Sequence, residues 1–126
     1  MKDLFQSGDW AKEKHVPVIE VLSVDKDKGI TLRLSVGKEI PHPNTTAHHI
    51  VWIDVYFKPE GGKFPYQVGK CEFVSHGASA EGADTSGVYS MPEATMSFKA
   101  GKGGTVYAAS YCNIHGLWEG MKEVNL

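Results

Sequence analysis

The sequence has no long apolar run, although 41% of its 126 residues are hydrophobic. No segment approaches the eighteen or so consecutive apolar residues that a membrane-spanning helix needs. The first ten residues, MKDLFQSGDW, contain no continuous apolar segment after the lysine and so do not resemble a secretory signal. We therefore expect no membrane contact and a cytoplasmic location.

Charge of one sign and cysteine are both scarce. The formal net charge is −2, and the basic residues form no run or stripe, so nucleic acid is not expected as a partner. Only two cysteines occur, Cys71 and Cys112. In a reducing compartment they are not expected to form a structural disulfide, so each needs its own explanation.

Amphipathic helical periodicity is also missing, and short β-type segments take its place. About seven of them, separated by turn residues, predict an all-β sandwich or barrel, and the length fits a single domain over residues 1–126. The predicted strands are Val18 to Val24, Ile30 to Val36, Ile50 to Phe57, Tyr66 to Val74, Ala94 to Lys99, Thr105 to Tyr111 and Glu119 to Val124.

The segment Cys112-Asn113-Ile114-His115 follows directly on the predicted strand TVYAASY. A strand that ends in C-x-x-H places a thiolate and an imidazole within reach of one ion. Gly116 comes next and allows a sharp turn, because glycine tolerates positive φ. Alone, the motif is equally typical of a buried cysteine beside a surface histidine.

One loop, HPNTTAHH, holds three histidines within eight residues: His42, His48 and His49. Together with C-x-x-H and the isolated His15, this loop favours a shared metal site over a set of solvated histidines. Only one of His48 and His49 is expected to bind the same ion, since neighbouring side chains of a strand point to opposite faces. Parity along the following strand does not decide between them.

The donor types limit the metal. Imidazole and thiolate suit zinc, copper, iron and nickel, and a structural zinc site would need one histidine fewer. Four imidazoles and one thiolate leave an open position, which favours a redox metal that acts on a small molecule. Glu13 and Lys14 precede His15, where a carboxylate could occupy that position and an ammonium could attract an anion. Two solvated charges are the alternative interpretation of this pair.

Three segments carry a family resemblance: residues 13–17 (EKHVP), 42–49 (HPNTTAHH) and 110–118 (SYCNIHGLW). Residues 56–61 (YFKPEG) and 72–77 (EFVSHG) extend it. In order and spacing, along nearly the whole chain, these segments closely resemble superoxide reductases of the neelaredoxin type. The related desulfoferrodoxins carry an additional N-terminal iron domain.

The resemblance implies an immunoglobulin-like seven-stranded barrel and one iron ion per chain. The implied ligands are four equatorial histidines and an axial cysteine: His15, His42, His48, His115 and Cys112. The resemblance thus selects His48, which parity could not do. It makes Glu13 the sixth ligand of the oxidised iron and Lys14 the residue that attracts superoxide. Cys71 and His76 match no ligand segment, and we interpret both as structural.

The implied activity is the one-electron reduction of superoxide to hydrogen peroxide. No cysteine-rich segment precedes Glu13, so we expect the electrons to come from an external donor, for which the family suggests rubredoxin. The family also suggests a homotetramer.

Two other functions remain open at this stage. A blue-copper electron carrier is also all-β, and Met121 follows His115 much as a methionine does in such sites. The additional histidines and the Glu13-Lys14 pair argue against it. A β-sandwich interaction domain with a structural zinc is the third interpretation.

Overall fold

The described part of the chain contains seven β-strands, which form where β-branched and aromatic residues alternate with polar ones. The computed structural model describes Met1 and residues 3–126. The strands are β1 (Pro17–Asp25), β2 (Gly29–Val36), β3 (Ile50–Pro59), β4 (Tyr66–Glu72), β5 (Glu93–Phe98), β6 (Gly104–Cys112) and β7 (Gly116–Val124). Within this described part, no helix is long and apolar enough to cross a membrane.

The strands form two antiparallel sheets, ordered β1-β2-β5 and β4-β3-β6-β7. Hairpins join β1 to β2, β3 to β4 and β6 to β7, and the chain crosses between the sheets after β2, β4 and β5. This arrangement confirms the prediction of an all-β, immunoglobulin-like seven-stranded sandwich.

The core lies between the two sheets and is supplied by alternate residues of the central strands. Because successive side chains of a strand point to opposite faces, every second residue faces inward. Eight of the most buried residues of β2, β3 and β6 follow this period: Ile30, Leu32, Leu34, Ile53, Val55, Phe57, Val106 and Ala108. These strands therefore form a rigid frame for the loops at their ends.

One end of the sandwich gathers the histidines and Cys112. The antiparallel register pairs Pro17 with Val36, Ile50 with Cys112, and Cys112 with Gly116. The start of β1, the end of β2, the start of β3 and the β6–β7 turn therefore meet at this end. Every predicted metal ligand lies in or beside one of these four segments.

The predicted strands agree with the observed ones except in their limits. The largest difference at a strand start is in β7, which begins at Gly116 and not at Glu119. Gly116 has a φ of 81°, so the turn after Cys112 needs only residues 113–115 before pairing resumes. The last three residues of the C-x-x-H motif, 113–115, thus form the connection of the β6–β7 hairpin.

Candidate metal centre

Four donor atoms converge at this end of the sandwich. Each of four residues offers one donor atom, and these four atoms all lie within 4.8 Å of one another. The donors are a ring nitrogen from each of His15, His42 and His48 and the sulfur of Cys112. His15 precedes β1, the next two lie in the loop before β3, and Cys112 is the last residue of β6. Backbone far apart in sequence thus places one thiol and three imidazoles around a common point.

His115 adds a fifth donor. Its Nδ1 lies 3.1 Å from Nε2 of His15 and 3.8 Å from Sγ of Cys112. Two nitrogens bound to one ion at right angles, with bonds of about 2.1 Å, would lie roughly 3.0 Å apart. The spacing of His15 and His115 is therefore that of neighbouring ligands.

Glu13 determines which nitrogen of His15 faces the cluster. Its Oε1 accepts hydrogen bonds from Nδ1–H of His15 at 2.7 Å and from the backbone N–H of His15 at 3.1 Å. An ionised carboxylate can only accept, so the proton lies on Nδ1 and the lone pair on Nε2. The bond to His15 also lowers the pKa of the Glu13 carboxyl. In this structure the carboxylate therefore lies at the edge of the His15 ring away from the other donors.

His42 and His48 each present a buried nitrogen with no partner. Nε2 of both residues has no hydrogen-bond acceptor or donor among the described residues. Nδ1 of His42 donates to the carbonyl of Pro43 at 2.6 Å, which leaves the lone pair on Nε2. Burial lowers the pKa of His42 to about 4 and also lowers that of His48, so both rings are neutral at neutral pH.

Unpartnered buried nitrogens are rare because each forgoes its hydrogen bond to water. Here two of them lie beside a completely buried cysteine and two further imidazoles. Neutral imidazole and thiolate are the ligands that late first-row metals prefer. The residues therefore fit a metal ion, which would satisfy both nitrogens at once.

The backbone of the β6–β7 turn contacts the cysteine sulfur. The N–H of His115 donates to Sγ of Cys112 at 3.4 Å, within the range for a hydrogen bond to sulfur. Such a bond stabilises the thiolate and reduces its donation to a metal. The tightness of the turn thus adjusts the electronic character of the site.

Comparisons with known proteins place this geometry in a family. The family model described as desulfoferrodoxin matches residues 7–121. The chain belongs to the desulfoferrodoxin family. It is 60% identical over 124 residues to a putative superoxide reductase of Archaeoglobus fulgidus, and the match covers 98% of each chain. It is 54% identical to the superoxide reductase of Pyrococcus furiosus, over all of this chain and 98% of the relative.

A solved structure supports the same family. The superoxide reductase (neelaredoxin) of Archaeoglobus fulgidus in the reduced form superposes with a TM-score of 0.95 at 60% identity. The match covers 98% of this chain and 100% of that one. The resemblance found in the sequence is therefore confirmed.

His49 does not join the donors of this desulfoferrodoxin-family chain. Its Nδ1 bonds the carbonyl oxygen of Thr45 at 2.9 Å, and its ring stacks on His76 with centroids 3.5 Å apart. His76 in turn bonds Asn44 at 3.0 Å and the carbonyl of Phe73 at 2.6 Å. Both histidines hold the loop, whereas His48 faces the cluster.

Parity along β3 could not show which of His48 and His49 faces the cluster, and the structure gives the reason. Both residues precede β3, which begins at Ile50, and the register of β3 with β6 shifts between Ile50 and Trp52. The alternation of a strand therefore does not extend back through this irregularity.

Lys14 is half-buried and lies close to the cluster. After burial, which is the largest cause, its positive charge is among the effects that lower the pKa values of His42 and His48. The desulfoferrodoxin-family site thus has a resident cation beside its neutral rings.

Two residues that the sequence did not single out support the ligands. Trp118 stacks on the ring of His15, with centroids 4.9 Å apart and planes at 16°, and its Nε1 donates to the carbonyl of His115 at 3.2 Å. The buried hydroxyl of Ser110 donates to the carbonyl of His15 at 3.1 Å. Both lie in the SYCNIHGLW segment and are paired across β6 and β7. Their position in that motif was the only signal for them.

Proposed function

We propose that this chain is a superoxide reductase, which reduces superoxide by one electron to hydrogen peroxide with one iron ion per chain. The balanced reaction consumes one electron and two protons for each superoxide. The proposed ligands are the five converging donors: His15, His42, His48, His115 and Cys112.

One observation carries the proposal. Two buried imidazole nitrogens that have no partner within Met1 and residues 3–126 face a buried cysteine in a chain of the desulfoferrodoxin family. Five donors exceed the four of a structural zinc site. The four histidines of this set also exceed the two of a blue-copper site.

Iron held by these five residues would supply one-electron chemistry between the ferrous and ferric states. The protein supplies the environment. The Cys112 thiolate provides a strong donor, and the N–H of His115 moderates its basicity. His115 is exposed, which leaves this side of the site open to water, the source of the protons.

Glu13 and Lys14 are proposed as the residues that control how superoxide reaches the metal. Glu13 is the proposed sixth ligand of the oxidised iron. Its hydrogen bond to His15 holds the carboxylate beside a proposed ligand. Lys14 is the proposed electrostatic attractor of superoxide. Its effect on the pKa values of His42 and His48 supports a position near the substrate.

We also propose that residues 1–126 form one iron domain whose electrons come from a rubredoxin-like donor. Residues 1–126 contain two cysteines, too few for both this site and a second four-cysteine iron site, and the family resemblance implies the rubredoxin-like donor. A cytoplasmic location, expected from the sequence composition, and a homotetramer, which the family resemblance implies, complete the proposal.

Metal analysis combined with optical spectroscopy tests the proposal. We expect about one iron per chain and, after oxidation, a thiolate-to-iron absorption band that disappears in Cys112→Ser. The ferrous protein should consume superoxide stoichiometrically, and the serine variant should not. Intense blue copper absorption, or colourless zinc protein, would contradict the proposal, as would a serine variant that keeps both the band and the activity.

A further inference from the structure

The side-chain amide of Asn113 bridges two segments that carry proposed ligands. Its Oδ1 accepts the backbone N–H of His49 at 2.8 Å, and its Nδ2 donates to the carbonyl of Ala47 at 2.9 Å. The backbone N–H of Asn113 also donates to the carbonyl of His49, at 3.2 Å. Three bonds from one residue thus hold the two neighbours of His48.

The position of Asn113 in the chain gives these bonds their significance. It directly follows Cys112, so its backbone moves with the sulfur. Ala47 and His49 lie outside β3, where the sheet ladder no longer holds the chain. The amide therefore replaces the ladder, with a donor and an acceptor on the two sides of His48.

We infer that Asn113 is a positioning residue that sets the ring of His48 relative to the sulfur of Cys112. The inference rests on the ligand set of the proposed function. Asn113 contributes no donor atom to the cluster. It acts by fixing the backbone that carries one imidazole against the backbone that carries the thiolate.

Other contacts hold the rest of the same loop and allow it to stay folded without Asn113. The backbone N–H of Thr46 donates to Oδ1 of Asp84 at 2.9 Å, and Nδ2 of Asn44 donates to the carbonyl of Ser90 at 2.9 Å. Asp84 has a φ of 55°, a backbone conformation that few residues adopt. Loss of the Asn113 amide should therefore loosen residues 47–49 without unfolding the loop.

Binding of Co²⁺ alone to the metal-free full chain tests this role. We expect Asn113→Ala to weaken Co²⁺ binding by about tenfold to a hundredfold, the usual effect of removing a group that orients a ligand. The ligand-field spectrum of bound Co²⁺ should shift, because the ring of His48 would no longer be held in one orientation. Asn113→Asp keeps the acceptor for the His49 N–H but turns a carboxylate oxygen toward the Ala47 carbonyl, so its affinity and spectrum should also depart from those of the parent.

A matched control and a measure of folding accompany these variants. Asn125→Ala removes the same amide from an exposed position that makes no side-chain hydrogen bond among the described residues, and it should bind Co²⁺ as the parent does. The Tm of the metal-free chain should change little in every variant. If Asn113→Ala does not fold, the Asp variant provides the test.

A double-mutant cycle with His48→Ala shows whether Asn113 acts through His48. If it does, Asn113→Ala adds no further loss of Co²⁺ affinity once His48 is removed. Full additivity of the two losses, or parent-like affinity and spectrum in Asn113→Ala, would overturn the inference alone. Unchanged binding in His48→Ala would overturn the proposed ligand set, and the inference with it.

Discussion

At the scale of single residues, the Glu13 carboxylate has two separate roles, one in its observed bond to His15 and one as a proposed ligand. As the partner of Nδ1–H, it orients the ring and directs Nε2 toward the cluster. As the proposed sixth ligand of oxidised iron, it would have to leave that nitrogen. The two tasks require different chemistry, because a neutral amide oxygen can accept a hydrogen bond but is a poor ligand for ferric iron.

Substitution of Glu13 separates these tasks. Glu13→Gln should keep the affinity for ferrous iron close to that of the parent, since its amide oxygen can still accept from His15. It should nevertheless change the ferric spectrum and its pH dependence. Glu13→Ala should change the ferric spectrum in the same way and also weaken ferrous iron binding by about tenfold.

The rate of superoxide reduction provides the check on Glu13. With ferrous protein, both variants should react at nearly the parent rate once loaded with iron, because the open position is already free. Stopped-flow or pulse radiolysis measures this bimolecular step. A large loss of rate in Glu13→Gln would show that the carboxylate takes part in the reduction itself.

At the scale of elements, the β6–β7 hairpin positions two proposed ligands, Cys112 and His115, through one glycine. Gly116 has a φ of 81°, and a Cβ added there would meet nothing within 4 Å. Gly116→Ala should therefore lower stability by about 1 kcal/mol through backbone strain alone, with a Tm lower by roughly 4 °C. Strain that shifts the turn should also change the thiolate absorption, since Cys112 directly precedes the turn and His115 is its last residue.

Gly101→Ala is the control for this hairpin. A Cβ at Gly101 also meets nothing within 4 Å, but its φ is not in the left-handed range. It should leave both the Tm and the absorption near the parent values. Equal effects of the two substitutions on Tm would mean that φ at Gly116 is not what constrains the turn.

Much of the strand pattern could be predicted because local composition determines it. The apolar alternation of β2 and β3 reflects burial of every second residue, and the turn residues that interrupt it lie between the strands. The start of β7 was missed because Gly116 follows the turn at once, and pairing resumes before any apolar alternation is visible.

The site was predictable only in part, for a different reason. Spacing showed one group of histidines in residues 42–49 and one C-x-x-H pair at Cys112 and His115, but their convergence with each other and with His15 depends on long-range register, which spacing does not contain. The family resemblance supplied that information. The contacts of Glu13, Trp118 and Asn113 involve groups distant in sequence or a specific rotamer, and no local pattern specifies them.

At the scale of the whole molecule, the electrostatic field does not favour capture of an anion. The chain carries a formal net charge of −2, and superoxide is negative, so attraction must come from charges near the site. Lys14 lies one residue from His15 and lowers the pKa values of nearby rings. A cation at the entrance of a site raises the association rate of an anionic substrate, by about tenfold or more in steered systems.

Lys14→Met should therefore slow the bimolecular reaction with superoxide, flatten its dependence on salt and leave iron binding intact. The salt effect arises because the Debye length falls to roughly 8 Å at physiological ionic strength. Lys14→Arg should react nearly as the parent, since only a point charge is required. Lys102→Met changes the net charge equally but lies in the β5–β6 connection, at the opposite end of β6 from Cys112, and should have little effect. Pulse radiolysis across a salt series measures all four proteins. Equal slowing by Lys14→Met and Lys102→Met would assign the attraction to net charge, and an unchanged rate and salt slope in Lys14→Met would assign it to the metal and other cations.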